Sequence, residues 1–178
     1  WTKQLGTSSR DEANGVATDS SGNVYVTGWT KGGLDGNTNS GDDDLFLVKY
    51  NSSGTKQWTK LLGTSMGEVG EGVTVDSSDN IYITGSTGGD LDNNTNSGGN
   101  DLFLVKYNSS GTKQWTKQLG TSDSVYAMAV TVDNSSNIYV TGRTTGGFDG
   151  YINGGDTSQY YTDIFLVKYN SSGTKQWT

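Results

Sequence analysis

The chain has 178 residues, a net charge of −7 and a pI near 4.4, and it contains no cysteine, histidine or proline. Its ten lysines and two arginines are scattered, so the basic stripe that phosphate binding needs is missing and no nucleic-acid partner is expected. Disulfides, thiolate chemistry and the commonest general base are excluded, and no apolar run approaches the ~20 residues that span a bilayer.

Only 30% of the residues are hydrophobic and 27 are glycine, yet aromatic and β-branched residues cluster in short runs. Short buried strands joined by polar turns give that mixture, whereas disordered chains lack such runs. The first predicted strand is Gly15-Val16-Ala17-Thr18. Asp19-Ser20-Ser21-Gly22-Asn23 follows as a turn rich in Asx and glycine. Val24-Tyr25-Val26-Thr27-Gly28 is the second strand, and a polar loop runs from Lys31 to Asp43. Leu45-Phe46-Leu47-Val48-Lys49-Tyr50 is the strongest strand. Asn51-Ser52-Ser53-Gly54 turns the chain into a fourth strand, Thr55 to Lys60, which leads into the next copy. No segment has helical spacing over a useful length.

The same pattern then recurs. Phe-Leu-Val-Lys-Tyr-Asn-Ser-Ser-Gly-Thr-Lys-Gln-Trp-Thr occurs unchanged from Phe46, Phe103 and Phe165. Counted from Trp1, Trp58, Trp115 and Trp177, the repeats are spaced by 57, 57 and 62 residues. The units are 1–57, 58–114 and 115–178, the last including the start of a further repeat. The third carries a five-residue insertion within Tyr151 to Thr162, which marks a surface loop.

Strand faces decide the architecture. Leu45 and Leu47 lie on one face of the strongest strand, and Phe46, Val48 and Tyr50 on the other. A sheet apolar on both faces must be covered on both. Four-stranded antiparallel units stacked by repetition satisfy this, so the expected fold is all-β, a β-propeller with one blade per repeat. A β-solenoid is the alternative, but its coils are usually much shorter than these repeats.

These repeats resemble the SBBP-type β-propeller repeats of secreted and surface bacterial proteins. The resemblance rests on Asp19 to Gly28, Asp44 to Tyr50 and Gly54-Thr55-Lys56-Gln57-Trp58, and it extends over essentially the whole chain. It implies a propeller blade and an extracellular or cell-surface setting, but no activity.

Three blades are too few to close a ring, since propellers typically have four to eight. Two arrangements follow: further blades of a longer chain, or association of copies, two giving six blades with the seam strand completed between chains. Head-to-tail association that fails to close would build a filament.

The polar loop is the best chemical candidate. Asp35, Asn37, Asn39 and Asp44 in the first copy, Asp92, Asn94, Asn96 and Asp101 in the second, and Asp149, Asn153 and Asp163 in the third supply oxygens at alternating positions, as in calcium loops. Ser40 and Ser97 stand where such a loop expects glycine, and Tyr151 replaces the central Asn of the third copy. The same residues equally suit an Asx-rich loop bonded to its own backbone. Any calcium here would be structural. Asp19, Asp76 and Asp133 fit turn caps better than catalytic acids. Lys49, Lys106 and Lys168 either pair with a repeated Asp or reach solvent. Trp58 and Trp115 are expected between blades, with sugar stacking as the alternative. Trp29, replaced by Ser86 and Arg143 in the other copies, is a ligand-binding candidate.

The expected function is a non-enzymatic extracellular scaffold with no required cofactor, partnered by further copies or blades. A glycan- or protein-binding module is the second reading. A glycosidase with acids across a channel is the third, but no unique carboxylate pair stands out.

Overall fold

The computed structural model describes residues 1–154 and 161–178. Part of the expected insertion, residues 155–160, therefore lies outside the described residues. The described residues form three four-stranded antiparallel sheets, each in simple up-and-down order. The first contains β1 (Asp11–Thr18), β2 (Val24–Thr30), β3 (Asp44–Tyr50) and β4 (Lys56–Leu62). The second contains β5 (Glu68–Val75), β6 (Ile81–Thr87), β7 (Asp101–Tyr107) and β8 (Lys113–Leu119). The third contains β9 (Val125–Val132), β10 (Ile138–Thr144), β11 (Asp163–Tyr169) and β12 (Lys175–Trp177). Helical structure among the described residues is confined to two 3-10 turns, Leu34–Gly36 and Leu91–Asn93. The four predicted strands of each unit, the near absence of helix and the all-β blade architecture all appear. A repeat counted from tryptophan to tryptophan begins inside the fourth strand of a sheet, because Trp58 pairs with Lys49 of β3.

The hairpin turns follow from side-chain oxygens placed to bond backbone N–H groups. Asn51 Oδ1 accepts hydrogen bonds from the backbone N–H of Ser53 and Thr55 at 3.1 and 2.8 Å, and Asn108 and Asn170 repeat the arrangement. Gly54, Gly111 and Gly173 complete these turns at φ near +78°, a conformation that costs most other residues. Asp19, Asp76 and Asp133 do the same work between the first two strands of each blade. Each accepts from two backbone N–H groups and from the tyrosine hydroxyl of Tyr25, Tyr82 or Tyr139 at 2.9–3.1 Å.

The first strand of every sheet carries a β-bulge, at Asn14, Glu71 and Met128. Across the second and third sheets the bulge accompanies close approach to the neighbouring strand: a Cβ on Gly85 would lie 1.9 Å from the Val69 carbonyl oxygen, and one on Gly142 1.9 Å from that of Tyr126.

The sheets pack face on face, as propeller blades do. β5 packs on β1, β2 and β3, and β9 packs on β5, β6 and β7. Leu45 and Leu47 of the first blade are buried together with Ile81, Ile83, Phe103 and Val105 of the second. Leu102 and Leu104 of the second are buried together with Ile138, Val140, Phe165 and Val167 of the third. In the middle blade the two apolar faces of β7 are thus each covered by a different neighbour.

Candidate functional site

The β2–β3 loop of each blade places its acidic and amide side chains on separate partners. Asp35, Asp92 and Asp149 stand in the left-handed region at φ 52–58°, which Asp tolerates better than most residues. Each meets a lysine from the fourth strand of its own blade: Lys56, Lys113 and Lys175 respectively. The Lys56 ammonium holds the Asp35 carboxyl below the usual carboxylate range, and Lys175 does so for Asp149. For Asp92, partial burial opposes the shift, and Lys113 and Thr116 outweigh it. Asn37 and Asn94 turn their amide nitrogens to the carbonyls of Leu34 and Leu91 at 2.9 and 2.8 Å. Asn39 donates to Thr30 O and accepts from Gly41 N, and Asn96 donates to Gly99 O and accepts from Gly98 N.

Asp44 and Asp101 close the loops from inside. Both side chains are fully buried. One oxygen of each accepts a backbone N–H, from Ser40 at 2.8 Å and from Ser97 at 2.9 Å. The other is buried without a hydrogen-bond partner, beside Gly63 or Gly120, where any Cβ would collide with the carboxylate. Burial pushes the Asp44 carboxyl above its ordinary value, and it does the same to Glu68, which lies near enough to Asp44 to feel its charge. Asp163 accepts from Gly154 N at 2.8 Å. Asn153 has its place in the shorter described part of the third loop. The loops are held by Asx bonds and a Lys–Asp pair. Among the described residues no group of three or more Asp or Glu side chains is placed to hold a metal ion.

Trp29 is 8% exposed. The Arg10 guanidinium covers its ring at 4.8 Å from the centroid, so the face a sugar would stack on is taken in this arrangement. The third blade carries the reverse pair, Arg143 over Tyr126 at 5.2 Å. Lys49, Lys106 and Lys168 reach neither solvent alone nor a repeated Asp. Their ammonium groups lie 5.2–5.4 Å from the ring centroids of Tyr25, Tyr82 and Tyr139. Lys49 and Lys106 also donate to Ser109 O and Ser171 O in the turn of the following blade. Trp58 and Trp115 pack on Tyr25 and Tyr82 at 6.1 Å and meet that same turn at Gly111 and Gly173. They lie between blades, as expected.

Apolar side chains lie open on the two end faces of the stack. Leu47 and Leu104 are 1% and 0% exposed, but their counterpart Leu166 is 46% exposed. Ile164, counterpart of Leu45 and Leu102, is 91% exposed. At the other end Val16 is open, although its counterparts Val73 and Val130 pack in cores. Between Val16, Val24, Val26, Leu34 and Phe46 runs a groove. Residues Trp1–Leu5 lie along that groove without joining a sheet. Trp1 rests on Gly54 and Tyr50, as Trp58 rests on Gly111. Trp1–Leu5 is identical in sequence to Trp115–Leu119.

The copies also differ unevenly. The turns at 19–23 and 51–55 are nearly unchanged among repeats, whereas the connections at 6–10 and 31–43 and the first strand vary most. The variable connections share one rim of the blades, and the constant turns share the opposite rim.

Comparison with known proteins places this geometry. The chain is 27% identical over 99% of its length to an uncharacterized WD repeat-containing protein of Acanthamoeba polyphaga mimivirus, covering 16% of that protein. It is 27% identical over 89% of its length to Regulatory protein FlaEY of Caulobacter vibrioides, covering 18% of it. It thus spans less than a fifth of these curated relatives. A solved protein of unknown function from Bacteroides caccae matches 93% of the chain and 44% of its own, with a TM-score of 0.51 at 10% identity. The family model for the SBBP "Beta-propeller repeat" matches residues 1–35, 57–92 and 114–149, once per repeat and over more than half of the sequence, and the chain belongs to that family.

Proposed function

We propose that the chain is a non-enzymatic scaffold of the extracellular space or cell surface, which works by joining blade faces to one another. The observation that carries this reading is the pair of unlike apolar end faces. Ile164 and Leu166 project from one end, and the groove of Val24, Val26 and Phe46 lies at the other. Inside the chain the counterparts of these two surfaces already meet twice. Apolar patches left open on a soluble protein mark interaction sites. The turn and loop carboxylates support the same reading: Asp19, Asp76 and Asp133 are engaged in turns, and Asp35, Asp92 and Asp149 with lysines.

The test is the concentration dependence of thermal stability. Assembly through the faces stabilises the folded chain by mass action, so the unfolding midpoint rises with protein concentration. A midpoint independent of concentration overturns the scaffold reading.

Ligand binding on the variable rim is a second reading, favoured by the concentration of repeat differences at that rim and in the first strands. Arg10 and Trp29 are its residues in the first blade. A glycan array compared with the Arg10→Ala variant, which uncovers the Trp29 ring, decides it. Altered glycan binding supports this reading, and no binding by either protein removes it.

A further inference from the structure

We propose that Asn14 is a self-modifying site: the backbone nitrogen of Gly15 and one water molecule convert its amide to aspartate and isoaspartate, which loosens the junction between the first two blades.

The fold itself sets a glycine after Asn14. β1 packs on β5 where the first blade meets the second. A Cβ on Gly15 would lie 2.9 Å from the Glu71 carbonyl oxygen and 3.0 Å from Thr27 Cγ2, so a side chain there would push the two strands apart. Gly72 meets β9 in the same way, its Cβ position lying 3.1 Å from Ala129 Cα. The residue before this close approach is the bulge of each first strand: Asn14, Glu71 or Met128. Only in the first blade does the bulge residue carry an amide, and there the glycine follows it.

Asparagine is among the thermolabile residues, and a following glycine puts no side chain in the path of the reaction. Gly15 N attacks Asn14 Cγ, a C–N bond forms, and the side-chain nitrogen leaves as ammonia with the Gly15 amide proton. The product is a five-membered cyclic imide. Water then opens it in one of two ways. Cleavage of the Cγ–N bond gives aspartate. Cleavage of the bond from Gly15 N to the Asn14 backbone carbonyl carbon gives isoaspartate, whose chain runs through Cγ. One water is consumed, one ammonia is released, and no oxidant or reductant is needed.

The site favours this reaction over the other asparagines. The register of β1 with β2 passes from Ala13↔Gly28 to Gly15↔Thr27, so Asn14 has no partner in the ladder. Water reaches the position: Asn14 is exposed, and Glu71, its counterpart with a blade on either side, is only half-buried. Asn51, Asn108 and Asn170 precede serine, and the Oδ1 of each is held by two backbone N–H groups. The other Asn-Gly pair is Asn153-Gly154, where the attacking nitrogen already donates to the Asp163 carboxylate at 2.8 Å.

The product alters the junction. Asn14 Nδ2 donates to Gly70 O of β5 at 3.0 Å, a bond from one blade to the next. Aspartate has no hydrogen to give, so the Gly70 carbonyl meets an oxygen instead of a donor. The new charge also joins Glu12 and Glu71, which already repel each other. Isoaspartate adds a carbon to the backbone of β1 and disturbs the pairing of Gly15–Thr18 with β2. At the second junction Glu71 holds the corresponding position and has no amide to lose.

The test is incubation of the folded chain in warm, mildly alkaline buffer, followed by peptide mass mapping. The peptide containing Asn14 should gain the mass difference between a hydroxyl and an amino group and separate into two products, one of them methylated by an isoaspartate-specific methyltransferase. The peptides containing Asn51, Asn108 and Asn170 should stay unmodified. The aged chain should unfold at a lower urea concentration than the fresh chain. Asn14→Gln, which lengthens the side chain and removes the five-membered path, should show no such shift with age. An Asn14 peptide that stays intact in the folded chain, or changes only in chain held unfolded in urea, overturns the site. A modified Asn14 with an unchanged urea midpoint, or an equal shift in aged Asn14→Gln, overturns its effect on the junction.

Discussion

Leu47, Leu104 and Leu166 provide an internal comparison, because one residue type occupies one strand position in three blades that differ in what covers them. Full burial of a leucine side chain contributes about 1.5–3 kcal/mol. Truncation to alanine in a closed core costs about 2–5 kcal/mol, since a cavity adds to the lost transfer energy. Leu47 and Leu104 are 1% and 0% exposed, so Leu47→Ala and Leu104→Ala should each fall in that range. Leu166 is 46% exposed and borders no closed cavity in the single chain. Leu166→Ala should therefore cost about 1 kcal/mol in dilute solution, roughly half of the transfer term alone. Urea unfolding followed by tryptophan fluorescence reads all three. As protein concentration rises, the Leu166→Ala deficit should grow toward that of Leu104→Ala, because the second blade's environment is then reproduced at the end face. Equal costs for Leu104→Ala and Leu166→Ala in dilute solution would refute the reasoning, and so would a Leu166→Ala cost that does not change with concentration.

Other outcomes follow from the turns and loops. Gly111→Ala forces a side chain into φ +79° and puts its Cβ 3.1 Å from the Trp58 ring, so a loss of about 1–3 kcal/mol is expected in urea unfolding. Asp19, Asp76 and Asp133 have carboxyls held below the ordinary value of 3.8, Asp133 at about 2. Burial opposes the shift at Asp19 and Asp76, and the hydrogen bonds of the turn outweigh it; at Asp133 those bonds dominate. A depressed folded pKa stabilises fully above the unfolded value and is lost as pH falls through the folded one. The melting midpoint should thus drop between about pH 4 and pH 2, and less steeply in the Asp76→Asn variant; parallel curves would contradict the assignment. Asp44 and Glu68, raised by burial, act in the opposite sense: their contribution is complete below the unfolded value and fades as pH rises through the raised one. Calcium titration should leave the melting midpoint unchanged, since Asp35, Asp92 and Asp149 are held by lysines and Asn39 and Asn96 by the loop backbone; a rise on calcium addition would place a cation there.

Much of the fold was legible because the repeat states it three times. The two-faced strand Leu45–Tyr50 required cover on both sides, and the Asn-Ser-Ser-Gly turns needed only local hydrogen bonding. The phase of the blades was less visible. An identical block marks the period, but pairing of Trp58 with Lys49 is what assigns β4 to the preceding sheet. The loop was ambiguous for a physical reason: alternating Asx oxygens suit both a cation and backbone N–H groups, and sequence spacing does not show which they face. The partner of Asp35 lies 21 residues away at Lys56. Trp29 looked open because it varies between copies, while the group that covers it, Arg10, lies on a connection before β1. Lys49, Lys106 and Lys168 lie over tyrosine rings of their own blades, and stacking of the blades adds the bonds of Lys49 and Lys106 to the next turn.

Sedimentation equilibrium over a wide range of protein concentration tests the central claim, that blade faces join copies, most directly. The account predicts a mass that rises from the 18.9 kDa chain to a plateau at twice that value. A mass fixed at 18.9 kDa across the whole range would contradict it.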